Sequence, residues 1–101
     1  MAQFDVYKNE NKRTNKEVPY LLDIQNDILS SLDTRVVIPL VFSLAKVDKL
    51  TKELKIKDET VYLYTDQMAT IPLSLLNEKI CSVKEQSDEI KNSIDFLIYG
   101  F

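Results

Sequence analysis

The chain has 101 residues, 45% apolar and 29% charged, with a formal net charge of -3 and a pI near 4.9. That length gives one modest core, and the acidic balance argues against a protein that grips nucleic acid directly, which needs clustered Lys and Arg. With no histidine and only one cysteine, Cys81, composition excludes Cys/His zinc sites, His-dependent nucleophilic triads and any intrachain disulfide.

In chain order, Met1 to Asp5 shows no basic stretch leading into an apolar run, so no secretory signal is expected and a reducing, cytoplasmic setting is. Gln3 to Tyr7 alternates, with Phe4 and Val6 on one face, and predicts a strand. Lys8 to Glu17 is polar throughout and predicts a hairpin loop with a solvated surface. Tyr20 to Leu29 resumes an apolar pattern that should pair back on the first strand. Ser30 to Thr34 holds turn-type residues. Arg35 to Leu40 predicts a buried strand, in which Pro39 cannot donate to a ladder and so marks an edge or a bulge. The longest apolar stretch, Val36 to Phe42, is far shorter than the ~20 residues a membrane span needs, so no membrane partner is expected.

Leu40, Leu44, Val47, Leu50 and Leu54 have near-helical spacing and suggest a short amphipathic helix. Leu54 to Ile56 and Thr60 to Tyr64 predict strands across the turn Lys57-Asp58-Glu59. Thr65 to Thr70 reads as a loop, and Ile71 to Leu76 as an extended run broken by Pro72. Cys81 sits in an apolar-leaning stretch and is expected to pack rather than react. Ser82-Val83-Lys84-Glu85 fits a capping box, and Ile90, Ile94, Leu97 and Ile98 then mark one helical face. Gly100, the only glycine, stands where a helix end favours left-handed backbone. The spacing therefore predicts a helix from about Val83 to about Tyr99. Asn92, Asp95, Phe96 and Tyr99 fall on its outer side, and an outward aromatic pair beside a chain end suits a partner surface.

Several short segments, in order and at consistent spacing, carry a resemblance. They are Gln3-Phe4-Asp5-Val6-Tyr7, Asp23-Ile24-Gln25-Asn26-Asp27, Val37-Ile38-Pro39-Leu40, Met68-Ala69-Thr70-Ile71-Pro72, Ile90-Lys91-Asn92-Ser93-Ile94 and the ending Tyr99-Gly100-Phe101. Over nearly its whole length the chain resembles the CcdB toxins of bacterial toxin–antitoxin pairs. The resemblance implies an α+β chain, mainly antiparallel β: a small SH3-like barrel, CcdB/MazF-like, with a C-terminal α-helix, as one domain over residues 1–101. It further implies a homodimer without cofactor or metal and with no catalysis of its own. Such a toxin binds the A subunit of DNA gyrase and traps the gyrase–DNA cleavage complex. A cognate antitoxin with a disordered, acidic tail releases it, and that tail is expected against edge strands and the Lys8–Glu17 hairpin.

The gyrase-binding residues of the family fall on Tyr99, Gly100, Phe101, Asp95, Ile28 and Leu29. Tyr99 stands in place of a tryptophan that stacks on a gyrase arginine, and tyrosine is the weaker cation–π partner. Asp95 puts a charge where the family has an amide. Between Leu54 and Ile56 the chain is a few residues shorter than the family norm. Two alternatives follow from these features. One is a degenerate toxin that retains only antitoxin binding. The other is an mRNA-cleaving endoribonuclease of the related MazF/Kid fold, since fold alone does not fix chemistry; the lack of histidine and the acidic charge weigh against it.

Overall fold

The computed structural model describes residues 2–29, 31–42 and 52–100. In chain order the strands are β1 (Asp5–Lys8), β2 (Tyr20–Asp23), β3 (Thr34–Val41), β4 (Glu53–Ile56), β5 (Glu59–Leu63), β6 (Ala69–Pro72) and β7 (Lys79–Ser82), followed by the helix α1 (Ser87–Tyr99). Every ladder is antiparallel, and the sheet runs β4-β5-β3-β2-β1-β7, with β6 also paired to β3. The sheet curls as a half-barrel around its apolar face, and α1 packs on that face. The expected class, mainly antiparallel β with a C-terminal helix, is the one observed.

Alternation along the strands builds two apolar clusters rather than one. Val6, Leu22, Ile38, Leu40, Leu54, Ile56, Val61 and Leu63 form the main core with Phe4, Val83 and Ile90. Their strand neighbours Tyr7 and Val37 join Leu76 in a second cluster, flanked by Leu21 and Ile71. Successive strand residues face opposite sides, so the central strands are covered on both. The first strand begins at Asp5 and not at Gln3, because Phe4 takes a left-handed φ of 71°. That bend aims the Phe4 N–H at the Asp23 carbonyl, 2.6 Å away, and seats the ring in the core.

The Lys8–Glu17 segment does connect β1 to β2 as a hairpin, although Lys8 itself belongs to the strand. The extended run that starts at Tyr20 ends at Asp23 and gives way to a 3-10 turn over Asp27–Leu29. Pro39 departs from expectation: its strand is central, flanked by β2 on one edge and by β5 and β6 on the other. β6 pairs with Thr34 to Val37, and β5 pairs with Leu40 and Val41. The Pro39 carbonyl accepts from Tyr64 N–H at 3.0 Å, on the edge away from β2. Its nitrogen faces the same way, into the break between the two partners, where no ladder donor is required.

The near-helical stripe from Leu40 to Leu54 begins in β3 and ends in β4; its middle lies outside the described residues. β4 and β5 meet in a two-residue turn, Lys57-Asp58, both with positive φ, 47° and 70°. The loop after β5 contains a 3-10 turn, Thr65–Gln67, and β6 starts at Ala69, earlier than expected. Cys81 lies half-buried in β7 against the main core, and burial pushes its thiol pKa up. A packing role fits both observations. The expected helix start at Val83 is corrected to Ser87. Residues Lys84–Gln86 form a 3-10 turn, and Ser82 Oγ accepts from Lys84 N–H at 3.3 Å, heading that turn and not the α-helix.

Candidate functional site

The C-terminal end of α1 is shaped by its single inward polar residue. Ile90 and Ser93 are buried, and Ile94 and Leu97 half-buried. The hydroxyls of Ser93 and Thr65 lie 3.2 Å apart, tying the helix to the 3-10 turn after β5. Counting Ser93 rotates the centre of the buried face by about 35°, at ~100° per residue. Phe96, expected outward with Tyr99, is therefore half-buried, and Ile98, expected inward, is 58% exposed. Tyr99 stands 65% exposed and Asp95 is exposed beside it. Gly100 closes the helix with φ 80°, donating its N–H to the Phe96 carbonyl at 2.9 Å. Phe101 lies outside the described residues.

Ile28 and Leu29 form a second group, on the 3-10 turn that follows β2. Ile28 is 86% exposed, and Leu29 and Leu32 are also exposed. The turn hangs from a buried polar network. Arg35, 1% exposed, pairs bidentately with Asp23: Nε to Oδ2 at 2.9 Å and Nη2 to Oδ1 at 3.1 Å. Nη2 also reaches the Gln25 carbonyl at 3.1 Å. Burial pushes the Asp23 carboxyl pKa up, while the guanidinium and the Gln25 N–H pull it back down. The Gln25 side chain bridges outward from this pair. Its Oε1 accepts from Val36 N–H at 3.1 Å and its Nε2 donates to the Leu29 carbonyl at 3.1 Å.

The sequence reading did not single out this network. A signal was present: Arg35 shares a strand face with the buried Val37, so period-two alternation sends it inward. A fully buried arginine must find a carboxylate, and Asp23 is its partner.

Two clefts flank the β1–β2 hairpin. One, about 480 Å³, is lined by Asn9, Glu10, Asn11 and Thr14 of the hairpin and by Leu21, Ile71 and Leu75. The other, about 330 Å³, brings Lys8, Tyr20, Phe42 and Glu59 together. There the Tyr20 hydroxyl donates to Glu59 Oε1, and burial with that carboxylate raises the phenol pKa to about 12. Among the described residues no group of three or more Cys, Asp or Glu side chains is arranged to hold a metal ion, and no helix is long and apolar enough to cross a membrane.

With these surfaces defined, the family model described as "CcdB protein" matches residues 3–100. The chain belongs to the CcdB family. It is a toxin of the toxin–antitoxin type, as the resemblance implied. Among solved structures it is similar to an endoribonuclease from a mycobacterial species, with a TM-score of 0.75 and 13% identity, covering 94% of this chain and 88% of that one. It is also similar to an endoribonuclease in complex with its cognate antitoxin, again mycobacterial, with a TM-score of 0.76, 13% identity and coverage of 94% and 91%. At that identity the likeness is one of fold. The expectation that this CcdB-family chain has no catalysis of its own is corrected here: the fold it adopts is one that endoribonucleases use, so lack of histidine does not set its chemistry.

Proposed function

We propose that this CcdB-family toxin binds the A subunit of DNA gyrase and traps the gyrase–DNA cleavage complex. What carries the reading is the exposed end of α1. In a chain of this family, Tyr99 presents an aromatic face beside Asp95 and Gly100. A ring with one polar end suits an interface that is part apolar and part wet. Ile28 and Leu29 contribute a second, aliphatic contact. The cognate antitoxin wraps the toxin as an ordering segment, and its affinity comes from a long contact. The 480 Å³ cleft beside the hairpin, with its floor of Leu21, Ile71 and Leu75, suits the apolar side chains of such a segment.

The deciding experiment is gyrase supercoiling and DNA cleavage with the parent and Tyr99→Ala. Tyr99 is 65% exposed, so loss of its ring opens no core cavity and the variant should remain folded, as a thermal melt checks. Supercoiling inhibition and stabilised cleavage should fall together. An equally potent Tyr99→Ala protein would remove this helix end from the contact.

A second reading, RNA cleavage, is favoured by the similarity to endoribonuclease structures. It places the chemistry in the 330 Å³ cleft, where an ammonium, a carboxylate and aromatic rings converge. Cleavage of a phosphodiester needs a proton acceptor and a cation for developing charge, roles for Glu59 and Lys8. Incubation with a mixed RNA substrate, parent against Glu59→Gln, tests it: cleavage by the parent and not by the variant supports this reading.

A further inference from the structure

The Asp27–Leu29 turn is held at each of its three residues by a different side chain or backbone group. At Asp27, the carboxylate oxygen Oδ1 accepts from the Gln3 N–H at 2.8 Å. At Ile28, the N–H donates to Asn26 Oδ1 at 2.9 Å. At Leu29, the carbonyl accepts from Gln25 Nε2 at 3.1 Å, and the N–H donates to the Asn26 carbonyl at 3.0 Å. Gln25 is itself buried and fixed at three further atoms, through Asp23, Arg35 and Val36. The result is a short turn hydrogen-bonded at all three residues that presents two exposed aliphatic side chains: Ile28, 86% exposed, is the most exposed of the large apolar residues described, and Leu29 is exposed beside it.

We infer that Gln25 and Asn26 are positioning residues, which preset Ile28 and Leu29 for partner binding by clamping the turn that carries them. The inference rests on the proposed gyrase contact at Ile28 and Leu29, and adds how that contact is made ready. A loose turn must be ordered when it binds, and that ordering weakens the complex; a clamped turn has already lost that freedom on folding. The two clamps differ usefully. Gln25 ties the turn to the buried network, whereas Asn26 is exposed and its hydrogen bonds, among the described residues, stay within the turn, so it can be changed without opening the core.

The test compares the parent with Gln25→Met, Asn26→Ala, Asn26→Asp and Ile28→Ala, each as the full chain. Two quantities are read: the NMR order parameter of the Ile28 methyl in the free toxin, and the dissociation constant for the gyrase A subunit. Gln25→Met and Asn26→Ala should lower the order parameter and weaken binding about tenfold, the scale expected for ordering one or two side chains. Asn26→Asp keeps an oxygen for the Ile28 N–H and should restore both. Should Gln25→Met unfold, Asn26→Ala with its Asp rescue carries the test alone. An unchanged methyl order parameter in Asn26→Ala overturns the clamp. Unchanged binding in Asn26→Ala, where Ile28→Ala binds weakly, overturns the presetting role while leaving the contact in place. Unchanged binding in Ile28→Ala overturns the contact itself, and the proposal with it.

Discussion

The buried Asp23–Arg35 pair governs most of what single residues do here. Removing one member strands the other in the interior without a counter-charge, and breaking such a pair costs about 3–5 kcal/mol. Asp23→Ala should therefore lower denaturant midpoints strongly. Asp23→Leu combined with Arg35→Met should be far milder than the sum of the singles, because no lone charge remains; urea melts of the three variants check this. Tyr20 sets a pH response of known sign. Its folded pKa of about 12 lies above the ~10 of a free phenol. Its contribution to stability is full below pH ~10 and is lost as pH rises toward 12. Glu59→Gln removes the neighbouring negative charge, so the phenol should titrate earlier, as followed by its ultraviolet absorbance. At this scale exposure was the legible property. The outward set of Asp95 and Tyr99 follows from periodicity, while Phe96 and Ile98 exchanged places because Ser93, a polar residue, turned out to centre the buried face.

Among the elements, those with local chemistry were readable and those shaped by distant partners were not. Gly100 ends the helix where a left-handed residue was expected, since that requirement sits in the chain itself. The β4–β5 hairpin was likewise placed by its turn. Yet Lys57 and Asp58 hold positive φ without a glycine, and two-residue turns of this hand favour Asn-Gly. Lys57→Asn with Asp58→Gly should stabilise the fold by roughly 0.5–1 kcal/mol through relief of backbone strain, raising the thermal midpoint with no change in oligomeric state. Pro39 could not be placed from sequence, because its tolerance depends on β5 and β6 dividing one edge of β3 between them. The late start of α1 has a similar origin: Val83 N–H donates to the Phe4 carbonyl at 2.9 Å, which holds the chain extended past the expected cap.

For the molecule as a whole, family and architecture were legible, because short motifs kept their order and spacing along nearly the entire chain. The chemistry was less so: the family resemblance implied a non-catalytic binder, and a fold shared with endoribonucleases withdrew that inference. Leu32, Leu75 and Ile98 are exposed apolar side chains outside the proposed gyrase contact, and exposed apolar surface marks an interaction site where it is contiguous. A symmetric homodimer should cover part of it. Sedimentation equilibrium at micromolar concentration should return twice the mass of 11.7 kDa, and a monomer mass across that range would contradict the expectation.

The pairing of β1 with β7 bears on how the toxin comes into being. Val6 lies opposite Cys81, and the Phe4 carbonyl accepts from the Val83 N–H, so one edge of the first strand waits for nearly the last. Contacts this distant in sequence close slowly, in milliseconds to seconds for β-rich topologies. During synthesis at ~5–20 residues per second, the sheet cannot close until β7 has cleared the ribosome. Because α1 follows β7 in the chain, the helix end takes its place only after the sheet has closed, whereas the clamped turn, whose hydrogen bonds join residues 3 to 36, can form well before it.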